Sequence, residues 1–208
     1  LRHEQMIIEM RSYDLQPNTV PEYEKAFALG LDHRNQVSKL GAFWHTEIGP
    51  LNRVIHIWPY QDAAERDRLR AAAVKPGVWP PGGTDLIVTQ ESKIIDLAPF
   101  SPALTEGTHG LYEIRTYTVK PGRMKDVIDG WAPMVPERLK YSPMIFAGAT
   151  STGTLNQWVH VWAYEDLNER ARIRAEVIAK GVWPPRTGDT YLKQESMIVL
   201  PAAFSPLR

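Results

Sequence analysis

The 208-residue chain holds 24 Lys+Arg against 24 Asp+Glu, a formal net charge of zero, which argues against a role resting on attraction to nucleic-acid backbones or anionic lipid. It has no cysteine, which removes disulfides, iron–sulfur clusters, thiolate zinc sites and a cysteine nucleophile together. No apolar run approaches the ~18–20 residues of a membrane span, and residues 1–5 do not begin a secretory signal, so a cytoplasmic chain with no membrane partner is expected.

Residues 6–15 alternate in polarity and predict a strand. Residues 18–40 predict a helix, with Val20, Tyr23, Phe27 and Leu31 at spacings of three and four. Residues 42–48 and 52–60 predict two strands joined by the turn Gly49-Pro50-Leu51-Asn52. Asp62 is a candidate N-cap of a second helix, with Glu65 at capping-box spacing. Proline in the Trp79-Pro80-Pro81 segment ends that helix, and residues 85–97 predict the last strand.

The same order then recurs. Shifted by 104 positions, the chain matches itself without a gap, with about a third of the aligned pairs identical. Glu9, Arg11 and Tyr13 meet Glu113, Arg115 and Tyr117; His56, Trp58 and Tyr60 meet His160, Trp162 and Tyr164; Trp79 meets Trp183. Two domains are therefore expected, residues 1–104 and 105–208, each βαββαβ. The expected fold class is α+β: two βαββαβ repeats whose antiparallel sheets pack face to face within the chain. Packing of each repeat on another molecule, as a homo-oligomer, is the competing arrangement.

Alternation sorts each strand into two faces. Ile8, Met10, Ile55 and Ile57 form an aliphatic set, expected under the helices. Glu9, Arg11, Tyr13, His56, Trp58 and Tyr60 form a polar-aromatic set, expected to face the second sheet. Buried charges must be paired and hydrogen-bonded, so this set reads either as a network holding the sheets in register or as the lining of a small-molecule site. In the second reading the candidate catalytic residues are His45, His56, Arg11 and Tyr13. A histidine is the proton acceptor and Arg11 an anion clamp. Glu9, Trp44, Trp58, Tyr60 and Trp79 are the candidate ligand contacts. Trp79 either closes a pocket mouth or plugs a helix end. Arg66, Arg68 and Arg70 read as a solvated helix face. No HExxH, GxSxG, GxGxxG or phosphate-loop pattern occurs, and an RNP1 pattern is missing, so no metal, cofactor or nucleic-acid partner is expected.

The chain resembles the NIPSNAP family. The resemblance is carried by Glu9-x-Arg11-x-Tyr13, the run EIGPLNRVIHIWPY of residues 47–60, the helix start Asp62-x-x-Glu65-Arg66 and the VWPP segment. The second copy matches in EIRTY, LNQWVHVWAY and VWPP. It departs over residues 133–150, where Pro133, Pro136 and Pro143 interrupt the helix and Ala149 replaces the histidine. The resemblance implies a dimeric α/β barrel of ferredoxin-like units, closed here within one chain. That class includes cofactor-independent monooxygenases, haem-degrading enzymes and small isomerases. It often binds ligand between sheet and helices, which favours the neighbourhood of Trp44, His45 and Trp79. Some relatives are interaction proteins, so a small-molecule enzyme or binder and a non-catalytic scaffold both stand as readings, with haem binding a third.

Overall fold

A computed structural model describes residues 6–208; residues 1–5, and with them the expected lack of a secretory signal, lie outside the described residues. The first repeat runs β1 (Ile7–Leu15), α1 (Val20–Val37), β2 (Ala42–Ile48), β3 (Arg53–Tyr60), α2 (Ala63–Ala73) and β4 (Ile87–Leu97). The second runs β5 (Leu111–Val119), α3 (Met124–Trp131), α4 (Val135–Arg138), β6 (Met144–Thr152), β7 (Gln157–Tyr164), α5 (Leu167–Ala179) and β8 (Tyr191–Pro201). The predicted Asp62 cap forms and its counterpart 104 residues on forms too: Asp62 and Asp166 accept the backbone N–H of Glu65 and Glu169, each at 2.7 Å. The helix that is continuous in α1 is split into α3 and α4, because the ring of Pro136 and its missing N–H cannot sit inside an unbroken helix. The buried stripe survives the break: Phe27, Leu31 and Arg34 of α1 become Trp131, Val135 and Arg138.

The eight strands close into one antiparallel barrel in the order β1-β3-β2-β8-β5-β7-β6-β4. The β2–β8 and β4–β6 pairings stitch the repeats together. Closure pairs the C-terminal parts of β4 and β8 on both sides, while their first halves pair only with β1 and β5. Among the described residues no helix is long and apolar enough to cross a membrane.

The two strand faces are the reverse of the expectation. The aliphatic set points inward: Ile8, Met10, Ile55 and Ile57 meet Ile114, Val159 and Val161 of the other repeat in a shared barrel core. The polar-aromatic set lies under the helices, with Tyr13, Trp58 and Tyr60 packed against Tyr23, Phe27 and Leu31 of α1. The physical reason is pairing. Glu9 is fully buried, and the cations that neutralise it include Arg66 and Arg70 of α2. Only the helix side of the sheet brings them within reach. The arginines read as a solvated face are thus partly inward-directed.

Candidate functional site

Between the outer face of the first-repeat sheet and α1 and α2 lies a cleft of about 340 Å³, within the ~300–1,000 Å³ of small-molecule sites. Alternation sends Arg11 and Tyr13 of β1 and His56 and Trp58 of β3 into it. Helix α1 adds Phe27 and Arg34, α2 adds Arg70, and Trp79 stands over them, its ring centroid 5.3 Å from that of Phe27 and 6.0 Å from that of Trp58. Gly30 permits this approach: a Cβ there would sit 2.5 Å from the Val78 carbonyl oxygen and 3.1 Å from the Trp79 ring.

Glu9 lies behind the cleft. Its Oε1 accepts from Arg11 Nη1 at 2.9 Å, Arg66 Nη2 at 2.7 Å and Ser92 Oγ at 2.9 Å, and Arg70 Nη1 reaches Oε2 at 3.2 Å. Burial pushes its carboxyl pKa upward, but the Arg66 hydrogen bond and the charges of Arg70 and Arg11 win and hold it down at about 2. Glu9 is a fixed anion that orders guanidinium groups. Arg11 is held from its other side too, Nε donating to the Tyr13 hydroxyl at 2.7 Å.

His56 takes a role opposite to proton acceptor. The indole N–H of Trp58, which can only donate, points at His56 Nδ1 at 2.6 Å. Nδ1 is therefore unprotonated and the proton sits on Nε2, a buried atom with no hydrogen-bond partner among the described residues. Burial, then the charge of Arg11, pushes the pKa down to about 3. His56 is a neutral imidazole in the cleft wall with its N–H buried.

Arg34 is the most exceptional group. It is 2% exposed. Its Nη2 donates to Tyr60 Oη at 3.0 Å, its Nη1 to the Ser38 carbonyl at 3.2 Å and to the Ser38 hydroxyl. Its guanidinium carbon lies 4.2 Å from the Trp58 ring centroid. Arg34 has no carboxylate partner among the described residues. Burial lowers its pKa, yet a guanidinium stays charged. Tyr60 thus anchors Arg34 from behind the cleft.

Two expected neighbours of Trp79 lie elsewhere. Trp44 points into the barrel, stacked on Tyr112 at 4.8 Å with its indole N–H on the Leu207 carbonyl. His45 is on the outer face, but its Nδ1 contacts Glu24 Oε1 at 2.8 Å, outside the cleft lining. Arg34 and Arg70, absent from the sequence-predicted site, take their place. One signal could have found Arg34: Arg34 and Ser38 recur as Arg138 and Ser142 in a helix that has diverged at most other positions. No group of three or more His, Asp or Glu among the described residues could hold a metal ion.

Two ferredoxin-like repeats sharing one antiparallel barrel, with a cleft between sheet and helices, define the dimeric α/β-barrel class, closed here inside a single polypeptide. The sequence profile of the NIPSNAP family matches residues 8–102 and again residues 112–206. The chain belongs to the NIPSNAP family. Protein NipSnap homolog 3A of Homo sapiens is 31% identical over 218 residues, covering 100% of this chain and 88% of its own length. Protein NipSnap homolog 3B of Mus musculus is 30% identical over 211 residues, covering 96% and 85%. The crystal structure of a candidate monooxygenase from Fusobacterium nucleatum superposes with a TM-score of 0.63 over 96% of this chain and 93% of that one. At 12% identity this is a likeness of fold alone.

Proposed function

We propose that the first-repeat cleft binds a small organic anion with a flat apolar body. The observation that carries this is Arg34, a buried cation with no carboxylate partner among the described residues, lining a cleft of ligand size. An unpaired buried charge is costly, and a bound anion would offset that cost. Arg11 adds further donors, while Phe27, Trp58 and Trp79 offer aromatic faces to a planar body. Donors so arranged would also stabilise an enolate oxygen, the charge that isomerase-like or cofactor-independent monooxygenase-like chemistry develops. The division into units 1–104 and 105–208 is part of the same proposal, each unit supplying its own sheet–helix space.

Calorimetric titration of the full chain with 1-naphthoate and with the neutral 1-naphthamide tests this. The carboxylate should bind more tightly than the amide, and Arg34→Met should weaken it roughly 10- to 100-fold, the worth of a charge-assisted hydrogen bond. Equal binding of acid and amide, or a folded Arg34→Met protein that binds like the wild type, would refute it.

A further inference from the structure

We infer that the second repeat carries a second anion site, narrower than the first, so that one chain takes two ligands of unequal size. The ligand class rests on the reading of the first cleft. The existence of the second site rests on its own geometry.

A cleft of about 190 Å³ lies in the second repeat. Arg115, Tyr117, Arg138, Arg174, Trp183 and Gln194 line it, each 104 positions on from a residue lining the first. Arg138 repeats Arg34: it is 2% exposed, donates to Ser142 Oγ at 2.9 Å and Tyr164 Oη at 3.2 Å, and lies 4.2 Å from the Trp162 ring centroid. It too has no carboxylate partner among the described residues.

Arg174 goes further than its counterpart. Arg70 reaches Glu9, but Glu113 is served by Arg115, Arg170 and Ser196, each at 2.6 Å. Arg174 makes no hydrogen bond or ion pair among the described residues. The second cleft therefore faces two guanidinium groups without a carboxylate, where the first faces one.

Two substitutions between the repeats put larger rings behind the second cleft. Phe27 is replaced by Trp131 and Ile87 by Tyr191, and the Trp131 indole N–H donates to Tyr191 Oη at 2.9 Å, tying the two rings together. Trp131 also packs 4.6 Å from His160 and 4.7 Å from Trp183, centroid to centroid. His160, unlike His56, does not line its cleft. The second site thus recognises charge with guanidinium groups alone and admits a single-ring or short aliphatic carboxylate.

The test is calorimetric stoichiometry on the full chain with benzoate and 1-naphthoate. Benzoate should fill two sites and 1-naphthoate one. Arg138→Met should weaken one benzoate site by roughly tenfold or more and leave 1-naphthoate untouched. Arg174→Met, which removes a side chain with no internal partner, should do the same and guards against misfolding of Arg138→Met. The double substitution Trp131→Phe with Tyr191→Ile should admit a second 1-naphthoate. A single benzoate site unaffected by either arginine variant would overturn the inference while leaving the first-cleft reading intact. Binding lost with Arg138→Met but indifferent to Arg34→Met would do the reverse.

Discussion

Glu9→Gln isolates the charge network that places the sheet's polar face under the helices. The substitution keeps shape and removes the anion, leaving Arg11, Arg66 and Arg70 around a neutral amide. The carboxyl pKa falls from 4.5 to about 2 in the folded chain, which at ~1.36 kcal/mol per unit is about 3 kcal/mol of stability. Because the folded pKa is depressed, that contribution is complete above pH 4.5 and is lost as pH falls through about 2. Urea unfolding followed by tryptophan fluorescence should show a deficit of about 3 kcal/mol at neutral pH, with an unchanged m-value. Variant and wild type should converge near pH 2. Glu113 is also held at about 2 and shares no partner with Glu9. Glu113→Gln should therefore cost a similar amount, and the double variant about 6 kcal/mol. A Glu9→Gln midpoint equal to wild type at neutral pH, or a deficit undiminished in acid, would defeat the reasoning.

His56 should also oppose acid. Its folded pKa of about 3 lies below the ordinary 6.5, so the unfolded chain binds the extra proton and stability should fall as pH drops from 6.5 toward 3. His56→Asn, which keeps an acceptor for Trp58, should flatten the unfolding curve over that window, and nitrogen NMR of the wild type should show a neutral Nε2–H imidazole at pH 5. Gly30→Ala drives a methyl to 2.5 Å from the Val78 carbonyl. It should cost roughly 1–3 kcal/mol and shift Trp79 emission; a wild-type melting temperature would show that the segment yields freely.

The repeat and the element order were legible because they rest on signals local in sequence: alternation, helical spacing, caps and a 104-residue shift; the closed barrel was implied only by the family resemblance, since the β2–β8 and β4–β6 pairings that close it join distant segments. The direction of the faces was not. Glu9, Arg11 and His56 alternate with isoleucines whichever side they face, and only the arginines of α2, brought back by the crossover, decide the matter. The cleft was half legible for the same reason. Arg11, Tyr13, His56, Trp58 and Trp79 line it. Trp44 follows the barrel interior by strand parity, a fact visible only once the inner face is known. Arg34 stayed hidden because a helical arginine is ordinarily solvated.

The interior stacking of Trp44 on Tyr112 has a consequence for ancestry and engineering. Their counterparts 104 residues away are Gly148 and Ile8, so the ring pair has no mirror image in the barrel. A homodimer of first halves would put Trp44 where Gly148 now crosses β4, a place where even a methyl would lie 2.4 Å from the Asp96 carbonyl oxygen. In a covalently joined chain neither half has to fit its own copy, and a dimer built from first halves alone would meet that clash.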